Sequence, residues 1–260
     1  MKDAINSEKE IFDRYHDTFF KELHGWRDYN ITSKGFGQWY YDCLPYDKNA
    51  KIIDIGCGDG KFLFFLEQSG YHQIEGLELS EQQVEEAKKH VKCPIHLVDN
   101  TISFLQKASE TYDMITMNDV LEHIPKKETV IFLKNVHDSI KPGGIAVINV
   151  PQVSGLSSLF CRYNDFTHET IFTEMSLKQV LFSAGFYKIR FIPQKWPFKL
   201  TPRHLTYRLV RFFWYSILKI IYTIESPGEK HPSMFQERLV AVATRSHKSK
   251  TSCSIRKESN

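Results

Sequence analysis

Between Lys51 and Val150, short unbroken apolar runs alternate with longer stretches in which apolar residues return every third or fourth position. The unbroken runs, near 51–55, 73–78, 95–98, 112–117 and 144–150, have the length and composition of strands covered on both faces. The stretches between them, near 60–69, 81–90, 101–107 and 128–140, have the period of helices with one buried side. This alternation predicts an α/β fold, a parallel sheet with helices on both faces. Local chemistry marks several ends: Ser80 stands at an N-cap position, and Lys141-Pro142-Gly143-Gly144 stops a helix ahead of the next strand. After Val150 the pattern predicts a helix over about 176–184, stopped by Gly185, and two more strands at 186–192 and 237–244.

The first strand ends in Asp54-Ile55 and runs into Gly56-Cys57-Gly58-Asp59-Gly60. Glycine at alternate positions removes side chains where a backbone must press against a nucleoside-like ligand. A dinucleotide fingerprint would need its third glycine at position 61, which is Lys61, so a nicotinamide-dependent oxidoreductase is disfavoured. The segment resembles instead the cofactor loop of class I S-adenosylmethionine (SAM) dependent methyltransferases. The resemblance covers roughly residues 45–245. It implies a Rossmann-like sheet of seven strands, mostly parallel with an antiparallel final strand, and SAM as cofactor. It also implies that Asp54 supports the methionine end and that Gly56, Gly58 and Gly60 lie along the cofactor.

In a doubly wound sheet the ligand sits beyond the carboxyl ends of the strands. The second predicted strand ends at Glu78-Leu79, and a carboxylate there can accept hydrogen bonds from both ribose hydroxyls. The third ends at Asp99-Asn100; by the family pattern Asp99 takes the adenine amino group and the Asn100 backbone lies near the ring. The fourth ends in Thr116-Met117-Asn118-Asp119, followed by Glu122-His123. This stretch resembles the small-molecule branch of the family, in which the chain passes beside the methyl group, and makes Asn118, Asp119 and His123 candidates. The Asn-Pro-Pro-Tyr type of signature is absent, which argues against DNA bases and glutamine side chains as acceptors.

Methyl transfer from a sulfonium is a single in-line displacement, so a protein supplies alignment and, for an alcohol nucleophile, a base. Imidazole titrates near working pH. Two histidines are placed for that role, His123 and His168; for each the plainer reading is a helix cap or a structural hydrogen bond. His168 lies in the polar loop 164–173, which resembles one found in methyltransferases of glycan and other small-molecule pathways. An oxygen of a sugar or glycan precursor is therefore the expected acceptor. A lipid-like quinone or phenol is the alternative, and a catalytically silent SAM-binding subunit is the alternative outside enzymes. Asp119, Glu122, His123, Asp165, His168 and Glu169 also read as ligands for a divalent cation, but oxygen-rich loops are common without one, and no metal is assigned.

Length and composition change the picture only at the ends. At 260 residues, 42% apolar and 25% charged, the chain suits one globular core. The formal charge of +3 is carried by the last sixteen residues, where five Lys or Arg face one Glu. The near-neutral remainder gives nucleic acid nothing to bind. The five cysteines are scattered without a Cys-x-x-Cys pair, which predicts a reduced compartment and no structural zinc. Residues 1–10 lack the apolar core of a signal peptide, so the cytoplasm is expected.

The chain thus reads as an aromatic-rich helical arm or lid over 1–49, a methyltransferase domain over 50–245 with an insertion at 194–236, and a disordered basic tail over 246–260. Within the insertion, residues 205–224 are almost wholly apolar or aromatic, with His204, Arg208, Arg211, Ser216, Lys219 and Thr223 on one side. The plainer expectation for this segment is burial against the core or in a homodimer seam. The sharper one is a helix lying in a membrane interface.

Overall fold

A computed structural model describes residues 28–155, 158–193 and 201–247. The arm before Asp28, the start of the insertion at 194–200 and the tail from Lys248 lie outside the described residues.

Helix α1 (Tyr29–Tyr40) leads through a 3-10 turn (Tyr41–Cys43) to β1 (Ile52–Ile55), α2 (Lys61–Gln68), β2 (Ile74–Glu78), α3 (Glu81–Ala87), β3 (Ile95–Leu97), α4 (Thr101–Leu105) and β4 (Tyr112–Asn118). A second 3-10 turn (Leu121–His123) precedes α5 (Thr129–Ser139), β5 (Ile140–Pro151), α6 (Ser158–Asn164), α7 (Glu174–Ser183), β6 (Lys188–Ile192), α8 (Pro202–Glu225) and β7 (Arg238–Thr244). The strands form one sheet in the order β3-β2-β1-β4-β5-β7-β6. Pairing from β3 through β5 is parallel, and β7 runs antiparallel to both β5 and β6.

The central strands are apolar on both sides because both sides are covered. Ile53, Ile55, Ile115 and Met117 meet Phe132, Leu133 and Val136 of α5 and Leu177 and Leu181 of α7. Ile52, Met114 and Val147 face the other way, toward Tyr40 of α1 and Phe62, Phe65 and Leu66 of α2. Helix α1 is joined to α2 by aromatic edges, with ring centroids of Phe36 and Phe62 5.1 Å apart and of Tyr40 and Phe62 4.9 Å apart. The described half of the arm is thus bolted to the domain through its aromatics.

Two expectations are revised. Lys141 to Gly144 follow the end of α5, but they form a bulged loop within β5, whose pairing with β4 passes from Tyr112↔Ile140 to Met114↔Ile145. The loop is held by Gly143 N donating to Arg245 O (3.0 Å) and Arg245 N donating to Gly144 O (2.9 Å). Arg245, the last residue assigned to the domain, is held by it: its guanidinium donates to the carbonyls of His137, Asp138 and Ile140 and to Glu110 Oε1 (2.6 Å). It thereby closes the C-terminus of α5, where carbonyls lack helical partners. Finally, the long apolar segment is a helix but is not buried against the core: of the 24 residues of α8 only Leu218 is buried.

Replacing Arg245 by Met removes four acceptor contacts at a half-covered position. The variant is expected to lose about 1–3 kcal/mol in urea unfolding; an unchanged midpoint would show that solvent satisfies those carbonyls equally well.

Candidate active site

Strands β1, β2, β3 and β4 are neighbours, so the ends carrying the candidate acids lie side by side. The glycine loop leaves β1 with φ of 65° at Gly56, 55° at Gly58 and 81° at Gly60. These are left-handed values, which cost an L-residue roughly 1–2 kcal/mol each. The backbone path itself therefore demands the three glycines, a reason separate from clearance for a ligand. At Gly56 a Cβ would also sit 2.6 Å from Val120 Cγ2, on the protein side. Gly76 of β2 makes room in turn, because a Cβ there would meet Cys57 Sγ and Leu63 Cδ1 at 2.7 Å.

Asp54 is 2% exposed and its Oδ1 accepts from Thr116 Oγ1 at 2.7 Å and Asn118 Nδ2 at 3.4 Å. Burial pushes its carboxyl up to about 7, against the pull of those two donors and with help from the Glu78 charge. Glu78 is tied to the loop: Oε2 accepts from Gly58 N at 2.9 Å, and Oε1 from Leu79 N and Ser80 N at 2.8 and 3.0 Å. Burial raises this carboxyl too. Leu79 is 56% exposed at the strand end, an apolar surface beside the acid. Asp99 and Asn100 are exposed just past β3, where Val98 N donates to Glu78 O at 3.0 Å and Asn100 Oδ1 caps α4 through Ser103 N. Asp54, Gly56, Gly58, Gly60, Glu78, Leu79 and Asn118 thus converge, with Asp99 and Asn100 on the adjoining rim.

Asp119 leaves β4 in a left-handed conformation (φ 56°), and its carboxylate is engaged by Arg238 at the start of β7. Three further partners were not singled out in the sequence. Thr116 is the register partner of Asp54, readable only once strand pairing is known. Tyr40 is fully buried and donates its hydroxyl to Asn118 Oδ1; burial holds the phenol far above its ordinary range, so it keeps its proton. Tyr29, at the other end of α1, donates to Asp59 O at 2.7 Å and stacks on His90 at 4.0 Å. Both ends of α1 therefore touch the site.

A second cluster follows β4. Glu122 O accepts from Glu169 N (2.8 Å) and Thr170 N (3.1 Å), pinning the loop after α6 to the turn at 121–123. His123 Nδ1 meets Thr167 Oγ1 at 2.8 Å, and that hydroxyl reaches Asp165 Oδ1 at 2.6 Å. A carboxylate only accepts, so the hydroxyl donates to Asp165 and accepts from His123. His168 Nδ1 donates to Cys161 O at 2.8 Å, which puts the lone pair on Nε2, 3.8 Å from Asp165 Oδ2. The two imidazoles lie 4.8 Å apart, and burial, followed by the neighbouring His168, brings His123 down to about 4.

Glu122 is completely buried with neither side-chain oxygen hydrogen-bonded among the described residues. Burial, reinforced by the Asp165 charge, raises it to about 8, so it stays protonated at neutral pH. Glu122, His123 and His168 offer ligand atoms within 4.8 Å of one another, a set that suits a divalent transition ion. Of the other residues read as cation ligands, Asp119 is turned to Arg238 and Glu169 is exposed.

Asp54 and Glu122 hold protons in the folded chain that the unfolded chain has released, so stability falls as pH rises toward about 7 and 8 respectively. His123 acts oppositely, gaining stability with pH, but only up to its unfolded value of about 6.5. From about pH 6.5 to 8 the carboxyls prevail, and urea unfolding of the cofactor-free chain is expected to lose up to about 1 kcal/mol per pH unit. Glu122→Gln should flatten the upper half of that slope, and a parent profile rising with pH would contradict the assignment.

A sequence model of the methyltransferase-domain family matches residues 33–190. Ubiquinone biosynthesis O-methyltransferases of Coxiella burnetii and of a Shewanella species are each 33% identical, over 100 and 98 residues respectively. The first match takes in 37% of this chain and 42% of the relative, so the chain spans less than half of the curated relatives it matches. Among solved structures, a SAM-dependent methyltransferase from Archaeoglobus fulgidus superposes with a TM-score of 0.63 at 18% identity, covering 89% of this chain and all of that one. The 1,6-didemethyltoxoflavin-N1-methyltransferase of Burkholderia thailandensis, solved with its substrate and S-adenosylhomocysteine, gives 0.55 at 17% identity over 94% of this chain and 89% of that one. Those likenesses speak for the fold; with the family match across more than half of the residues, the chain belongs to the methyltransferase-domain family and carries the fold of the class I SAM-dependent methyltransferases.

Proposed function

We propose that the protein transfers the methyl group of SAM to an oxygen of a small-molecule acceptor, a sugar or glycan precursor in the first instance. The observation that carries the cofactor half is a left-handed glycine loop that leaves β1 directly after the buried Asp54 and is hydrogen-bonded, through Gly58 N, to the Glu78 carboxylate at the adjacent strand end. In this reading Asp54 supports the methionine end, Glu78 takes the ribose hydroxyls, and Leu79, Asp99 and Asn100 border the adenine. Asn118 and Asp119 stand on the methyl side. A buried acid near pH 7 beside a cationic ligand loses its proton on binding, which draws the methionine ammonium toward Asp54.

The catalytic half assigns the base to His168. Its Nδ1–H is committed to a backbone carbonyl, so Nε2 is the nitrogen that can accept, and Asp165 is placed to stabilise the imidazolium that forms. His123, brought down to about 4 by burial and with Nδ1 committed to Thr167, stands second. Alignment of acceptor oxygen, carbon and sulfur supplies the larger share of the acceleration, about 7–11 kcal/mol in well-oriented systems.

A lipid-like quinone or phenol is the second acceptor class. The names of the matched relatives favour it, as does the exposed apolar exterior of α8. Neither class involves nucleic acid.

Incubation with radiolabelled SAM, a panel of nucleotide sugars and glycan precursors, and a panel of catechols and demethylated quinols separates the classes by which one gains label. Label in none, with cofactor affinity intact, would leave a silent binding subunit. Glu78→Ala should weaken S-adenosylhomocysteine binding about 10- to 100-fold by calorimetry. His168→Ala should lower kcat about 100-fold or more while leaving that affinity unchanged; full activity would reject the base assignment. Turnover should survive chelation, and loss restored by added Mn(II) or Zn(II) would transfer Glu122, His123 and His168 from proton transfer to ion binding.

A further inference from the structure

Helix α8 turns a narrow face to the protein. Leu218 is buried, Arg211, Tyr215 and Tyr222 are half-buried, and Tyr215 and Tyr222 rest on Phe235 with ring centroids 5.9 and 5.6 Å apart. On the opposite side, at about 100° per residue, Leu209, Phe213, Ile217, Ile220 and Ile224 form one continuous stripe. Each is between 47% and 73% exposed. Thr201 caps the helix through His204 N, and Pro202 opens it, so its start is defined without any partner.

The charge pattern says what fits this stripe. By the same angular count, Arg203 lies about 40° beyond one edge of the stripe, Lys219 and Arg208 lie about 80° and 100° beyond the other, on the flank past Ser216 and Thr223, and the only acid in the helix is its last residue, Glu225. A second copy docking here about a twofold axis would pair the patch with itself and find only further cations on its flanks, with no acid to meet them. An anionic surface complements those flanks, and the stems of Lys and Arg can lie along apolar material while their heads reach phosphate. No helix of the described residues is long and apolar enough to cross a membrane.

We propose that α8 is a docking element for an anionic phospholipid surface. It lies in the plane of the interface with the stripe from Leu209 to Ile224 in the acyl boundary and Arg203, Arg208 and Lys219 among the headgroup phosphates. The binding needs no turnover, so it stands or falls separately from the acceptor.

The full chain is mixed with vesicles of phosphatidylcholine, with and without a minority of phosphatidylglycerol, and pelleted. Co-sedimentation is expected with the mixed vesicles, weakening as salt is raised. Phe213→Glu with Ile220→Glu, and separately Arg208→Glu with Lys219→Glu, should each reduce it about tenfold or more. S-adenosylhomocysteine binding, unchanged in both variants, reports that the domain remains folded. Three results would overturn the proposal: no pelleting with anionic vesicles, equal pelleting by both variants through another part of the chain, or a dimer in analytical ultracentrifugation that the stripe variant dissociates while lipid binding persists.

Discussion

A carboxylate buried at the end of the central strand governs the arrangement around it. Asp54 has a hydroxyl and an amide to hold its Oδ1 and is surrounded otherwise by core. Burying such a group costs free energy unless its partners are fixed in place. Thr116 is fixed by strand register, and Asn118 by the Tyr40 hydroxyl, which reaches it from a helix that precedes the sheet. The packing of α1 on α2 through Phe36, Tyr40 and Phe62 is thus also support for a polar group at the site. Glu78 repeats the device one strand away, with three backbone N–H groups in place of side chains.

The histidine cluster after β4 is organised by backbone. A single carbonyl, that of Glu122, holds two consecutive N–H groups of the loop after α6 and so brings His168 against His123. Asp165 orders His123 through Thr167, while the Cys161 carbonyl orients His168, whose Nε2 lies 3.8 Å from Asp165 Oδ2. The buried Glu122 side chain beneath them remains neutral at physiological pH, which lets it occupy an apolar place without a partner.

Much of this was legible in the chain because it is local. Strand lengths, the helix cap at Ser80 and the positions of acids at strand ends follow from periodicity and from residue type. What escaped depends on pairing between distant segments. Thr116 matters through its neighbour in another strand, Tyr40 through a contact across 78 positions, and Arg238 through one across 119. The glycines were recognised, yet the left-handed path that requires them appears only in the backbone. For α8 the amphipathic pattern was correct and its usual corollary, burial on the core, was not: a pattern records that a face is apolar and leaves open what covers it.

The reversal of β7 has a mechanical corollary. Running against its neighbours, it starts where they finish, so the chain arriving from α8 enters the sheet at the end where β1, β4 and β5 stop. Phe235 lies under the aromatic rings of α8, and three residues later Arg238 grips Asp119. A long external rod and the cation that engages Asp119 are consequently joined by the few residues from Phe235 to Arg238.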